Sequence, residues 1–470
     1  MSSDSLYRRV VVAGLGGDSG KTLVSLGMLL LARDRGLPVA AFKKGPDYID
    51  AAWLAWASGL PARNLDTYLM GFDAVKTSFA RSATAAGLSV IEGNRGLYDG
   101  FDAQGTHSTA ALAKTLGAPV VLVFNATKVT RTAAALVLGC QRMDPDVRIA
   151  GVVLNQVAGR RHESVIREAI ESTCGIPVLG TLPRAAADTL LPGRHLGLVT
   201  PEEHQRIADL EGNIRRLCEP NLDFDGILAA AADCPAVRPT AAMARGESGA
   251  GLTIGYVKDS AFTFYYPENL ESLERAGACL EPLSPLGDGR FPENLDVLYI
   301  GGGFPETHGP ALSASDEWLG ALRAAAEAGL PIYAECGGLM LLSRGILRDG
   351  RRYPMSGVLP FDVEVLPHPQ GHGYIELEVD RPNPFFPEGT RLKGHEFHYS
   401  RIVREGEPAE TACRVTRGTG CYPGRDGIFR GAVWAAYTHL HALGTPEWTK
   451  AILSASGHFT HYSKGPPGGI

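Results

Sequence analysis

No Cys-x-x-Cys pair occurs among the eight cysteines of this 470-residue chain, which stand at positions 140, 174, 218, 234, 279, 336, 413 and 421. That argues against a zinc or iron–sulfur site of the usual ligand spacing. The default for such cysteines is a reduced, buried and inert side chain. Long apolar runs are missing too: nothing approaches the roughly 20 apolar residues of a membrane span. The run near the start, Val10 to Val12, is too short for a secretion signal and leads straight into Gly20-Lys21-Thr22. Blocks of like charge are absent, the net charge is −6, and Lys and Arg are scattered. This is a poor footprint for nucleic acid, which calls for a dense basic face. There is no internal repeat and no coiled coil. A cytoplasmic enzyme with neither a membrane nor a nucleic-acid partner is the expectation that remains.

Hydrophobic residues make up 44% of the chain and charged residues 20%, the proportions of a globular protein. Its length exceeds what one ordinary core serves, so two domains are expected. Arg9 to Ala13, Val39 to Phe42, Leu88 to Glu92, Pro119 to Phe124 and Ile149 to Leu154 read as short buried strands. Helical patterns lie between them, at Lys21 to Arg35, Ser108 to Leu116, Arg131 to Gln141 and His162 to Glu171. Such alternation predicts an α/β fold with a doubly wound, mostly parallel sheet. Ligands bind beyond the carboxyl ends of strands in these sheets. Residues 201–235 read as polar and helical, and 236–250 have linker composition. A second α/β series opens at Leu252, with strands at Val297 to Ile300 and Pro331 to Ala334. A more β-like section follows, holding Gly373 to Val379 and Gly431 to Tyr437. The tail, Ser463 to Ile470, is expected to be loose.

Gly14-Leu-Gly-Gly17-Asp18-Ser19-Gly20-Lys21-Thr22 follows a strand and opens a helix, the setting a phosphate-binding loop needs. Its N–H groups can cradle the phosphates of ATP, Lys21 can neutralise them, and the Thr22 hydroxyl can hold Mg²⁺. Two acidic clusters follow strands of the same sheet: Lys43-Lys-Gly-Pro-Asp47-Tyr-Ile-Asp50 and Glu92-Gly-Asn-Arg-Gly-Leu-Tyr-Asp99-Gly. Carboxylates at strand ends can bind Mg²⁺ and steer a phosphoryl acceptor. Capping helices or pairing with lysines is the plainer use of each one alone. Further on, Pro331-Ile-Tyr-Ala-Glu-Cys336-Gly-Gly reads as strand, sharp turn and helix. A helix N-terminus lowers a thiol's pKa, so Cys336 is expected to favour thiolate and act as a nucleophile. A base must accompany it, and His439 and His441 are candidates. The Gly301-Gly302-Gly303 turn after Val297 to Ile300 can supply N–H donors to an oxyanion.

Together the glycine loop, Gly45-Pro-Asp-Tyr-Ile-Asp50, Arg63-Asn-Leu-Asp66 and Gly96-Leu-Tyr-Asp-Gly100 resemble the glutamine-dependent amidating synthetases of the cobyrinate a,c-diamide synthase family. That likeness implies an ATP-binding amidoligase domain at 1–200 similar to dethiobiotin synthetase. A helical segment and linker at 201–250 and a class I glutamine amidotransferase-like domain at 251–460 would complete the chain. It implies that Asp47, Asp50, Glu92 and Asp99 serve metal, phosphate and substrate carboxylate, with Thr22, Asp47 and Glu92 as metal ligands. Asn155 would contact the nucleotide base, and His439 rather than His441 would be the base for Cys336. Lys393-Gly-His395-Glu-Phe-His398 is also characteristic of the family, as substrate contact or folded loop rather than metal site. The implied substrates are glutamine, ATP and a tetrapyrrole polycarboxylate, cobyrinate or hydrogenobyrinate first. Lys44, Ala51, Asn94 and Arg95 depart from the family's common residues. That keeps nickel sirohydrochlorin and sirohaem open as acceptors. Intact Cys336, His439 and Lys21 speak against a non-catalytic partner protein. A dethiobiotin-like carboxylation leaves the second half unexplained. A homodimer is one assembly the sequence allows.

Overall fold

The computed structural model describes residues 7–83, 87–184, 190–191, 198–204, 207–232, 234–239, 249–287, 289–403 and 409–458. The tail from Ser463, most of the expected linker and part of the helical segment before it lie outside them. The chain divides into two compact units, residues 1–242 and 243–470.

In the first unit seven strands form one sheet: β1 Arg8–Gly14, β2 Val39–Lys44, β3 Arg63–Leu65, β4 Leu88–Gly96, β5 Val120–Asn125, β6 Ile149–Val157 and β7 Val178–Pro183. They lie in the order β3-β2-β4-β1-β5-β6-β7, every pairing parallel. A parallel sheet is covered on both faces, so its strands are apolar runs rather than alternating ones. Accordingly Val10, Val11, Val12 and Ala13 are all buried. Arg9 is buried among them, and its guanidinium donates to the carbonyls of Tyr7 and Pro235. The five expected strands and four expected helices appear within a few residues of their sequence bounds. The three-residue β3 is too short to stand out, and the apolar run of β7 is interrupted by Gly180 and Thr181.

Helix α1, Lys21–Asp34, buries eleven of its residues, so it is enclosed rather than amphipathic. It packs against α2, Tyr48–Ser58, and against a later helix, Ile207–Cys218. The close approach rests on Gly27, where a Cβ would stand 2.4 Å from Cys218 Sγ.

The second unit contains a ten-stranded sheet and a smaller four-stranded one. Its strands are β8 Thr253–Val257, β9 Cys279–Leu283, β10 Val297–Ile300, β11 Ile332–Glu335, β12 Gly345–Arg348, β13 Arg351–Pro354 and β14 Asp362–Val365. Then come β15 Gly371–Val379, β16 Arg391–His398, β17 Ser400–Val403, β18 Thr411–Arg417, β19 Arg425–Arg430, β20 Val433–Ala436 and β21 His439–Leu440. Strands β9-β8-β10-β11-β20 run parallel; from β20 an antiparallel ribbon, β19-β18-β15-β16, leads to β21. β21 follows β20 after only two residues, so the ribbon returns to the segment it left. The strand expected from Gly431 to Tyr437 therefore belongs to the parallel core as well as to the β-rich section.

Replacing Gly27 by valine should force α1 off its neighbour. Overpacking of this kind costs about 1–3 kcal/mol, to be read as an earlier thermal unfolding transition by calorimetry.

Candidate active sites

The glycine loop crosses from β1 to α1 at the carboxyl edge of the first sheet. Gly20 has φ 95°, a left-handed conformation suited to glycine, and a Cβ there would lie 2.2 Å from Asn155 Nδ2. Asn155 is itself buried; its amide donates to the Ser19 carbonyl at 3.0 Å and its oxygen accepts from Gln156 N–H. In this arrangement the residue predicted to meet the base ties the loop to β6. Ser19 Oγ donates to Gly16 O at 2.8 Å, while Gly16 and Gly17 have open space where a side chain would stand. Lys21 folds back so that Nζ donates to Gly16 O at 2.8 Å. Burial and the neighbouring Lys43 charge lower its pKa. Phosphate oxygens at the loop would reverse that shift and give the ammonium a better acceptor.

Beside the loop a buried lysine joins two carboxylates. Lys43 Nζ donates to Asp50 Oδ2 at 2.5 Å, to Glu92 Oε1 at 2.9 Å and to Gly93 O at 3.1 Å. Thr22 Oγ1 donates to the same Glu92 oxygen at 2.9 Å. Parallel pairing places Lys43 opposite Glu92 across β2 and β4, which is why residues 49 apart in sequence meet. Sequence reasoning quoted Lys43 without giving it a role. The register of β2 on β4 was the missing information. Glu92 is wholly buried; burial and Asp50, against the pull of Lys43, push its carboxyl up to about 7. Its second oxygen, Oε2, has no hydrogen-bond partner. A buried carboxylate oxygen with nothing to bind, beside a threonine hydroxyl, fits a hard cation. Among the described residues no group of three or more His, Cys, Asp or Glu could cage a metal by itself. Mg²⁺ suits such a place because it keeps water and phosphate among its ligands.

Asp47 and Asp99 are placed differently. Asp47 is the N-cap of α2, its Oδ1 accepting from Asp50 N–H at 2.9 Å, and burial pushes its carboxyl up to about 6. The carboxylate bonded to Lys43 is thus Asp50 rather than Asp47. Exposed Asp99 closes its own turn, accepting from Gly96 N–H at 2.8 Å. Helix capping, one of the plainer uses weighed for these carboxylates, is what Asp47 does here, while Asp99 closes a turn instead.

In the second unit Cys336 follows β11 and opens a helix, Gly337–Leu342. Its φ of 49° puts a side-chain-bearing residue in the left-handed region, the strained turn of a presented nucleophile. Two strand pairings build the rest. β11 runs beside β20, and Cys336 N–H donates to Ala436 O at 2.7 Å. His439 lies three residues beyond Ala436, at the start of β21. A Cβ on Gly302 would stand 2.5 Å from His439 Cε1, and one on Gly337 would stand 3.0 Å from Gly303 N. The Gly302-Gly303 turn is therefore wedged between nucleophile helix and imidazole, its Gly303 N–H close to the residue after Cys336.

An orienting acid is present where sequence reasoning found none. Glu335, adjacent to Cys336 and wholly buried, faces His439 Nδ1 across 3.3 Å through Oε2. Tyr299 OH donates to the same oxygen at 3.2 Å and Leu440 N–H to the other at 3.2 Å. An acid touching the nucleophile in sequence gives no spacing signal; only the return of β21 reveals it. His441 is turned elsewhere, its Nδ1 accepting from Leu443 N–H and its ring 4.5 Å from Tyr266. His395 stacks on His439 with ring centres 4.9 Å apart. Burial and the His439 and His441 charges hold its pKa well below the usual imidazole range, so it packs as a neutral ring. The segment from Lys393 to His398 belongs to strand β16, not to a loop.

The expected thiolate is not the resting state of Cys336. Burial first, then Glu306, pushes the thiol up to about 12, against a smaller lowering from Gly337 N–H. The helix has only six residues, and its end does not outweigh burial and the nearby carboxylates.

Two protein-family descriptions match the chain: a CobQ/CobB/MinD/ParA nucleotide binding domain at residues 10–199 and a CobB/CobQ-like glutamine amidotransferase domain at 253–447. The chain is similar to the cobyrinate a,c-diamide synthase of Magnetococcus marinus, 42% identical over 94% of this chain and 95% of that one. The synthase of the same name from Syntrophotalea carbinolica is 41% identical over 95% of this chain and 98% of its own. That from Archaeoglobus fulgidus is 38% identical over 93% and 94%.

The raised thiol has a measurable consequence. A group with its pKa near 12 is neutral through pH 10, so alkylation of Cys336 by iodoacetamide should still be rising there. An ordinary cysteine, with pKa about 8.5, would already have levelled off. Peptide mass spectrometry of alkylated protein from pH 7 to 11 reads this directly. A plateau at pH 9 would show a resting thiolate instead.

Proposed function

This chain belongs to the cobyrinate a,c-diamide synthase family, and we propose that it amidates the a- and c-acetate carboxylates of cobyrinate or hydrogenobyrinate with ammonia from glutamine and energy from ATP. The observation that carries this reading is the presence, in one chain, of two complementary sites. One is a strained cysteine beside a carboxylate-bound histidine and a glycine turn. The other is a phosphate loop beside a lysine-bridged pair of carboxylates.

In the glutaminase reaction Cys336 Sγ adds to the carboxamide carbon of glutamine as His439 takes the thiol proton. Glu335 holds the imidazole by Nδ1 and stabilises it once protonated, the role of the acid in a triad. The oxyanion lies toward the Gly302-Gly303 turn, where N–H donors stabilise developing charge. His439 returns the proton to the departing ammonia, and water then cleaves the thioester. A thiol with a raised pKa suits this sequence, because deprotonation waits for substrate and base together.

In the synthetase reaction a substrate carboxylate oxygen attacks the γ-phosphorus, ADP departs, and an acyl phosphate forms. Ammonia then attacks the acyl carbon and phosphate leaves. Activation is required because oxide is too poor a leaving group for ammonia to displace. Gly17, Asp18, Ser19 and Gly20 line the loop that would receive the phosphates, with Lys21 as their cation. Thr22 and Glu92, with Asp50 close by through Lys43, would hold Mg²⁺, which supplies charge neutralisation on the phosphates when bound. Lys43 keeps Asp50 and Glu92 together against their mutual repulsion. Each macrocycle passes through this cycle twice.

With amide-¹⁵N glutamine and Mg-ATP, mass spectrometry should find two labelled amides on cobyrinate or hydrogenobyrinate. Label on nickel sirohydrochlorin or sirohaem alone would reassign the acceptor, and no label on any would favour the partner-protein reading. Cys336→Ala should abolish amidation from glutamine and retain it with high ammonia. Glu335→Gln should lower the glutaminase kcat by on the order of 10²-fold, the usual scale of acid–base assistance, with the KM for glutamine little changed. An unaltered kcat would remove Glu335 from the mechanism.

A further inference from the structure

Lys44 is 6% exposed, yet its ammonium has neither a hydrogen bond nor an ion pair within 4 Å among the described residues. Its neighbour Lys43 has three acceptors. Consecutive strand residues point to opposite faces, so the two lysines of β2 leave the sheet on opposite sides. Lys43 turns to the carboxylates beside the phosphate loop. Lys44 ends β2 on the other face, paired in register with Leu65 of β3. Asp66 comes next in the chain and its charge favours the Lys44 ammonium, but it makes no ion pair with it; its Oδ1 accepts from the N–H groups of Tyr68 and Leu69 and shapes that turn. Arg95, exposed at the end of β4 with φ 50°, brings a second positive charge near enough to act on Lys44. A largely desolvated ammonium held by no hydrogen bond favours a negative charge beside it. At the carboxyl edge of a parallel sheet, where ligands bind, the missing partner is most simply an anion of the substrate.

We propose that Lys44, assisted by Arg95, anchors a carboxylate of the acceptor other than the one being phosphorylated. This rests on the amidation reading above and adds to it a second recognition point. The acceptor must then be a polycarboxylate, held by one acidic side chain while another is presented to ATP on the far side of β2. The arrangement also explains how one site accepts the same molecule before and after an amidation. The anchored carboxylate is not consumed.

The test is binding to the full chain, with Mg²⁺ and a non-hydrolysable ATP analogue present. Titration calorimetry is run with cobyrinate and with its a,c-diamide on the wild type, Lys44→Met and Arg95→Gln. Lys44→Met should weaken both tetrapyrroles by about ten- to a hundredfold, the scale of one lost charge-assisted bond. Arg95→Gln should weaken both less, and neither should alter affinity for the ATP analogue. Lys44→Met removes a buried charge, so its thermal midpoint should hold or rise, separating lost recognition from lost fold. Undiminished binding in Lys44→Met overturns the proposal. A loss confined to the acid also overturns it, since Lys44 would then touch the reacting carboxylate. If the wild type ignores cobyrinate but binds sirohydrochlorin in a Lys44-dependent manner, the corrin assignment falls and the anchor stands. Binding of no tetrapyrrole polycarboxylate sinks both.

Discussion

A carboxylate taken wholly out of water must find partners, and each unit of this chain is organised around one. Glu92 near the end of β4 and Glu335 at the end of β11 are both wholly buried. Burying a lone charge costs far more than a fold can absorb, so hydrogen bonds and cations must gather round it. Those gathered here are the reactive groups themselves: Thr22 and Lys43 around Glu92, His439 and Tyr299 around Glu335. Structural and chemical demands thus coincide. A residue that satisfies the buried acid is thereby fixed in position for the reaction.

The two acids differ in what they leave open. Both oxygens of Glu335 are engaged by groups of the protein, so this acid holds the imidazole in place. Glu92 has one oxygen engaged twice and the other not at all. The first is suited to orientation, the second to receiving something. Lys21 is bonded to a carbonyl of its own loop, an acceptor that a phosphate oxygen could replace.

Much of this was legible in the residues, and the division is physical. The glycine loop is a local motif, with strand, turn, lysine and helix inside fifteen residues, so its sequence signal is nearly complete. The strand–turn–helix around Cys336 is equally local. What sequence could not supply is register. Lys43 acquires its role only when β2 lies beside β4, and Glu335 only when β21 returns beside the end of β11. The pKa of Cys336 was misjudged for a related reason: the helix end is local and visible, whereas burial and the charge of Glu306 are not. Asp47 and Asp99 show the converse. Their acidic clusters are conspicuous in sequence, yet each makes a short-range bond that any helix or turn could use.

Period-two alternation turns the last of these constraints into a device. Two lysines in succession, in a strand covered on both faces, cannot share an environment. One is drawn into the acid pair; the other stands on the far face with no hydrogen bond or ion pair among the described residues, helped only by the charge of Asp66. If both were needed only for folding, the second would be better replaced by an apolar residue, since removing an unpaired buried charge stabilises. Its presence at the carboxyl edge of the sheet is understandable when a further negative charge arrives with the substrate. The same strand end then separates phosphoryl transfer from recognition by no more than the thickness of the sheet. A substrate bearing acidic side chains around a broad ring is the kind of molecule that reaches both.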